Sequence, residues 1–230
     1  MRLIFRNRLV WHRFMVPVSA AVFSLTLITQ ASATIIGGTI DSGGAGATFI
    51  KLTVPFTQSN PDNTVGNDTF QTVHLYGFDE DQNILLAAAL TVDAVPSGST
   101  TLPAGTTVAS HYIFFDPVSG SINGTVDFDS DIVAIISSTS RLLASDFLAN
   151  TGVTYLNPSA RGLEVGDSVT ISGIRQIRFD TTASTPGDYV RILTAFSPGA
   201  EVPEPGTAAL IGVALALTVV RYGVGRLKQP

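Results

Sequence analysis

The chain contains no cysteine among its 230 residues. This absence excludes a disulfide scaffold, a thiol nucleophile, an iron–sulfur cluster and a cysteine-ligated zinc site. Charged residues are also scarce: they make up 13% of the chain, about half of the roughly 25% that is usual in soluble domains. With 13 basic against 18 acidic residues, no basic patch indicates nucleic-acid binding. The length allows one domain, or two small ones.

The few basic residues are concentrated at the two ends of the chain. Four arginines lie within the first 13 residues, and three basic residues lie beyond Val220. Residues 34–200 carry only six basic residues against 16 acidic ones. The chain is therefore an acidic body between two basic, apolar ends.

Residues 1–33 have the three parts of a secretory signal peptide. The basic region ends at Arg13, and the apolar stretch 14–28 that follows carries no charge. This stretch is shorter than the roughly 20 residues that a spanning helix needs. Ala31 and Ala33 are the small residues expected at positions −3 and −1 of a cleavage site before Thr34. An uncleaved membrane anchor is the alternative, but the short apolar stretch and the placed alanines favour cleavage after export by the general secretion route.

The last thirty residues, 201–230, also have three parts. Pro203, Glu204 and Pro205 are followed by an apolar run at 207–220 and then by Arg221, Arg226 and Lys228. The prolines keep the tripeptide out of a helix. The apolar run predicts a short transmembrane helix, and the basic residues predict that its end stays cytoplasmic. A plain tail anchor with a proline-rich stalk is the alternative.

This C-terminal arrangement resembles the PEP-CTERM sorting signal of Gram-negative bacteria that make extracellular polysaccharide. The resemblance implies that an exosortase recognises Pro203, Glu204 and Pro205 and cuts near them. It also implies an inner-membrane-anchored intermediate that is then passed to the cell surface, the medium or the biofilm matrix. The basic residues here are more spread out than in that pattern, which bears on how efficiently the signal is processed.

The body, residues 34–200, is dominated by strand patterns separated by Gly, Asn, Asp and Pro turns. Its glycine-rich start, at 37–38 and 43–46, predicts flexibility, and Asn123-Gly124 predicts a type I′ hairpin turn. Residues 141–149 have helical apolar spacing, with Thr139 or Ser140 as the predicted cap. We therefore expect an all-β, jelly-roll-like β-sandwich with one short helix. The predicted strands are residues 48–54, 70–78, 84–92, 108–115, 168–174, 175–179 and 189–196, and residues 125–137 are predicted to form one strand or two.

Asp127, Asp129 and Asp131 are the best candidates for a metal site. On a strand their carboxylates would share one face at a spacing of roughly 7 Å. Calcium takes six to eight hard oxygen ligands and suits such a row, and the acidic residues 79–81 are a further source of oxygens. The row does not match an EF-hand loop. A solvated acidic turn is the alternative, and the more common one.

The sequence gives little support to a catalytic function. His74 and His111 lie on predicted strands, and Ser110 adjoins His111, but no esterase or metalloprotease motif is present. We predict structural or surface roles for both histidines, and ion pairs of Arg161 with Glu164 and of Arg191 with Asp188.

Six aromatic residues of the body are candidates for a sugar-stacking platform, although the mature body has no tryptophan, the strongest stacking ring. We expect core packing to account for most of them: Tyr76, Tyr112, Phe114, Phe115, Tyr155 and Tyr189. The sequence predicts a non-enzymatic structural or adhesive protein of the surface or matrix, able to bridge acidic polysaccharide through calcium. The alternative is a secreted carbohydrate-binding module or a weak glycan-active hydrolase that uses paired carboxylates.

Overall fold

The computed structural model describes residues 32–195. These residues form fourteen strands, one α-helix, α1 (Thr139–Ala144), and two 3-10 helices, Asp146–Leu148 and Pro158–Ala160. The strands are β1 Ile35–Ser42, β2 Phe49–Lys51, β3 Thr64–Val65, β4 Leu75–Asp79, β5 Ile84–Leu85, β6 Leu90–Thr91, β7 Thr101–Leu102, β8 Thr107–Phe115, β9 Ser119–Phe128, β10 Ile132–Ile136, β11 Thr154–Tyr155, β12 Ser168–Gly173, β13 Gln176–Ser184 and β14 Asp188–Thr194.

Two larger sheets pack face to face in a β-sandwich-like arrangement. The four-stranded sheet has the order β1–β9–β13–β12 and is antiparallel throughout. The six-stranded sheet has the order β10–β14–β8–β4–β2, with β5 paired to the start of β8. Within it only β2 and β4 run parallel. Two small ladders, β3–β11 and β6–β7, lie outside these sheets.

The six-stranded sheet is buried on both of its faces. Its inner face packs on the four-stranded sheet through residues such as Ile113, Phe115 and Ile192. Its outer face carries a second core, which includes Tyr112 and Phe114 and is covered by the connecting segments and by the helical region. Because both faces are covered, β8 and β14 are buried almost without interruption.

The predicted strands at 108–115, 168–174 and 189–196 are confirmed with small shifts at their ends. The predicted strand at 70–78 begins only at Leu75, and the one at 84–92 is divided into β5 and β6. The helix predicted over 141–149 is confirmed as α1 and the following 3-10 turn. Its N-cap is Ser138 rather than Thr139 or Ser140, and the Asp93 carboxylate accepts hydrogen bonds from the amides of Ser137 and Ser138.

The hairpin predicted at Asn123-Gly124 is wrong. Gly124 lies inside β9, where it is paired with Ile40 of β1 on one side and Phe179 of β13 on the other. A Cβ atom at Gly124 would overlap the carbonyl oxygen of Thr39. Glycine is therefore needed here because β1 approaches β9 closely, not because the chain turns.

The flexible start predicted at Gly37-Gly38 is also wrong, since both residues belong to β1. A Cβ atom at Gly38 would lie 2.6 Å from the carbonyl oxygen of Thr125. Gly38 of β1 and Gly124 of β9 therefore each leave the space that the backbone of the other strand occupies. The start of the body is thus an integral strand of the four-stranded sheet.

Two of the predicted sorting segments fall outside the described residues: the signal segment up to Ala31, and Pro203, Glu204 and Pro205 with the predicted membrane helix at 207–220. Within residues 32–195, no helix has both the length and the apolar character needed to cross a membrane.

Candidate functional site

The three aspartates predicted as metal ligands lie at one end of the four-stranded sheet, but not in one row. Strand β9 ends at Phe128, so only Asp127 is on the strand, and Asp129 and Asp131 lie in the turn before β10. Each carboxylate accepts a hydrogen bond from a different donor. Gln176 Nε2 lies 2.8 Å from Asp127, the Thr34 amide nitrogen 2.7 Å from Asp129, and Arg175 Nε 2.7 Å from Asp131.

This geometry adds no support to the calcium prediction. Across residues 32–195, no three histidine, aspartate or glutamate side chains converge in a way that could hold a metal ion. The acidic run 79–81 is divided as well, because Asp79 and Glu80 serve opposite faces of the six-stranded sheet. Calcium binding by Asp127, Asp129 and Asp131 stays a prediction.

Two of these aspartates line a groove of about 580 Å³ at the edge of the four-stranded sheet. Its wall includes the exposed side chain of Ile36 together with Arg175 and Gln176. The groove thus offers carboxylates, a guanidinium and an amide around an apolar residue. We call it the β1–β9 groove.

Beside this groove, Thr34 is held by an extensive set of hydrogen bonds. Its amide nitrogen donates to Asp129 Oδ1, and its carbonyl oxygen accepts from the Asp129 amide at 3.0 Å. Its hydroxyl donates to Asp79 Oδ2 at 2.7 Å and also accepts from Lys51 Nζ. Every polar group of Thr34 therefore has a partner, and Asp129 binds its backbone from both sides. We call Thr34, Lys51, Asp79, His111 and Asp129 the residue-34 cluster.

Asp79 is the carboxylate that both basic side chains of the residue-34 cluster contact. Lys51 Nζ lies 2.8 Å from Asp79 Oδ2, and His111 Nδ1 lies 2.8 Å from Asp79 Oδ1, which also accepts from the Ile35 amide. Burial works to raise the pKa of Asp79, but the hydrogen bond and charge of His111 and the bonds from Lys51 and Ile35 outweigh it. The pKa is held well below its ordinary range, so Asp79 is a permanent carboxylate at neutral pH.

Ser110 and His111 do not form a nucleophile–base pair. They are neighbours on β8 and point to opposite faces of the sheet. The Ser110 hydroxyl donates to Glu80 at 2.6 Å, whereas His111 Nε2 lies 2.9 Å from the hydroxyl of Thr194. His111 and Thr194 are fully buried, which fits the structural role predicted for this histidine. His74 instead accepts a hydrogen bond from the Thr48 amide.

The predicted ion pairs of Arg161 with Glu164 and of Arg191 with Asp188 are wrong. Arg161 forms a two-bond pair with Asp146, with distances of 3.0 and 2.6 Å. Arg191 is fully buried and binds both oxygens of buried Glu80, at 2.6 and 3.0 Å. Both arginines have acidic residues near them in sequence, but their actual partners lie 15 and 111 residues away along the chain.

The Glu80–Arg191 pair joins the helical region to the six-stranded sheet. Arg191 Nη1 also donates to the Ser145 hydroxyl at 2.7 Å and to the Leu142 carbonyl oxygen at the end of α1. The second oxygen of Glu80 accepts from the Tyr155 hydroxyl at 2.7 Å. Every hydrogen-bonding group of the pair is thereby used in holding separate elements together, as a buried ion pair requires.

The aromatic platform predicted as an alternative is not on the surface. Tyr76, Tyr112, Phe114, Phe115 and Tyr189 are all buried. Tyr155, half-buried, packs against the same outer core. Five of the rings contact one another in the outer core, as in the pair Phe114–Tyr189 with centroids 5.6 Å apart, whereas Phe115 belongs to the inner core. Core packing accounts for these rings, and none of the six is placed to stack on a sugar.

A small cavity of about 170 Å³ lies between the segment 160–164 and the β13–β14 connection. Asp188, which lines it, is 2% exposed, and its Oδ2 atom has no hydrogen-bond partner among the described residues. Burial raises the pKa of Asp188 to about 7, and the carboxylates of Asp167 and Glu164 act in the same direction. An interaction with the Thr181 hydroxyl opposes them. Asp188 is therefore a buried acid that titrates near neutral pH.

Replacing Asp188 with asparagine is expected to flatten the pH dependence of stability. The folded protein holds a proton on Asp188 between an unfolded pKa of about 4 and a folded pKa of about 7, so stability falls as the pH rises through this window. At pH 8 the variant should exceed the wild type by about 2–4 kcal/mol in free energy of unfolding. Urea unfolding from pH 4 to pH 8 measures this, with Asp180→Asn, an exposed position on β13, as the control. An unchanged slope in Asp188→Asn would contradict it.

Comparisons with family models, with curated proteins and with solved structures find no match to this chain.

Proposed function

We propose that this chain is an exported, non-enzymatic protein of the cell surface or biofilm matrix, delivered by a PEP-CTERM signal that an exosortase processes. One observation carries the proposal: Pro203-Glu204-Pro205, the apolar run 207–220 and the basic residues Arg221, Arg226 and Lys228 follow one another in the order that such a signal requires. The signal segment 1–33, with Ala31 and Ala33 before the cut, supplies the export step that must come first.

The composition of the body supports this role. Residues 34–200 are strongly acidic and free of cysteine, and the described part is a β-sandwich-like domain for which we propose a jelly-roll-like topology. Among the residues that the structure describes, His111 and Glu80 are engaged by Asp79 and Arg191, which places them in contacts that hold the six-stranded sheet together. On the surface the domain presents carboxylates, which suit contact with extracellular polysaccharide through bridging cations.

The intact mass of the exported protein tests the sorting proposal. In a Gram-negative host that has an exosortase, we expect a surface or secreted product that lacks residues 1–33 and the tail beyond Pro205. Glu204→Gln should keep most of the protein in the membrane as the longer intermediate, because the recognised carboxylate is lost. Glu201→Gln, three residues earlier in the same segment, is the matched control and should be processed like the wild type.

An isogenic host without the exosortase completes this experiment. There the wild type should accumulate as the membrane-bound intermediate. Equal release of Glu204→Gln and Glu201→Gln, or release that does not depend on the exosortase, would overturn the proposal.

A further inference from the structure

The predicted signal cleavage falls at a structurally distinctive position. The cut between Ala33 and Thr34 would turn the Thr34 amide nitrogen into the α-amino group of the mature chain. That nitrogen already lies 2.7 Å from Asp129 Oδ1. The next residue, Ile35, is paired with Phe128 in the four-stranded sheet, and this pairing does not involve the residues before Thr34.

The charges around this nitrogen also favour an additional cation. Asp79 and Asp129 contribute two carboxylates to the residue-34 cluster, while Lys51 is the one permanent cation among its five residues. His111 adds positive charge only when it is protonated. In the neighbouring groove, Asp127 accepts from Gln176, and Asp131 is paired with Arg175. A new ammonium group at Thr34 would add a second permanent cation beside the carboxylates of Asp79 and Asp129.

We infer that Asp129 is the binding site for the α-ammonium group created when the signal peptide is removed. The nitrogen, a neutral amide donor in the precursor, becomes a charged donor to the same carboxylate, and charge-assisted hydrogen bonds are about twice as strong as neutral ones. Processing therefore strengthens the attachment of β1 at the edge of the four-stranded sheet. The Asp129 amide, which donates to the Thr34 carbonyl oxygen, fixes the residue from the other side. This inference rests on the proposed export and on the predicted position of the cut.

Acylation of the Thr34 amine at fixed neutral pH tests the inference. The chain from Thr34 to Pro230 is prepared in detergent by removing an N-terminal tag, and an N-hydroxysuccinimide ester labels its amines for mass spectrometry. In the wild type the amine must leave Asp129 before it reacts. We expect labelling of Thr34 to be about tenfold slower than in Asp129→Asn, the factor that one bond to a charged group supplies.

Asp127→Asn is the matched control, because Asp127 lines the same groove and accepts instead from Gln176. Its Thr34 amine should react at the wild-type rate. If the wild type and Asp129→Asn, both folded by circular dichroism, are labelled equally fast, the inference is wrong.

A second measurement keeps the test decisive if Asp129→Asn does not fold. The wild-type chain starting at Thr34 is compared with the same chain acetylated at its N-terminus, which keeps an N–H donor but lacks the charge. The acetylated chain should unfold several-fold faster, and equal unfolding rates would overturn the inference. Because tag removal creates the amine, neither result depends on export. The mass of the exported protein tests the export proposal separately and shows whether Thr34 is the natural first residue.

Discussion

Replacing Arg191 with methionine is expected to lower the free energy of unfolding by about 3–5 kcal/mol, because the Glu80 carboxylate would stay buried without its cation. Arg191 and Glu80 are both fully buried as side chains and make two direct bonds. The loss also releases the Ser145 hydroxyl and the Leu142 carbonyl oxygen, which attach α1 to the sheet. Against a total stability of about 5–15 kcal/mol, this single change should leave the domain close to unfolding, as chemical denaturation would show.

Arg175→Gln is the control for this prediction. Arg175 and its partner Asp131 are each about half exposed, at 49% and 46%. Exposed pairs contribute about 0–1 kcal/mol, so this variant should stay near the wild type. The double variant Arg191→Met with Glu80→Leu removes both buried charges and should recover part of the loss. If Arg191→Met were as stable as Arg175→Gln, the buried pair would not hold the helical region as described.

Much of the fold was accessible to sequence reasoning, because apolar runs and turn residues report burial directly. Strand β8 and the helix at 139–144 were predicted close to their actual positions. The two failures at glycine have one physical cause, which is that glycine has two structural uses. Gly38 and Gly124 looked like flexible or turning positions, whereas both are strand residues that let β1 and β9 approach closely. Only the spatial neighbour of a glycine distinguishes a turn from a close contact.

The polar interior is harder to predict, because closeness in sequence does not identify the partner of a buried charge. Glu80 lies in an acidic run and looked exposed, although its partner is Arg191, 111 residues away. A usable signal was present: Arg191 stands inside the apolar run 189–193. A cation within a strand that is apolar on both sides must be buried and paired. The identity of the partner still required the sheet order, which places β14 beside β8 and β8 beside β4.

If the chain follows the proposed export route, its folded precursor is expected to resist signal peptidase. Ala33 is fully buried, both backbone groups of Thr34 are bonded to Asp129, and Ile35 is paired with Phe128. The bond between Ala33 and Thr34 is therefore accessible only when β1 detaches from β9. If detachment costs about 3 kcal/mol, a fraction of the global stability, about one chain in a hundred exposes the bond at any time. We expect cleavage to be about 100-fold slower after folding than on the unfolded chain.

This can be measured with purified full-length precursor in detergent, to which signal peptidase is added either at the moment of dilution from denaturant or after refolding. Gly124→Val provides the comparison, because a side chain at this position collides with Thr39 and prevents β1 from docking. The refolded variant should be cut at nearly the rate of the unfolded chain. Rapid cleavage of the refolded wild type would contradict the prediction. Slow cleavage would mean that the proposed signal peptide must be removed before β1 docks, because the same contacts that bind Thr34 shield the bond that precedes it.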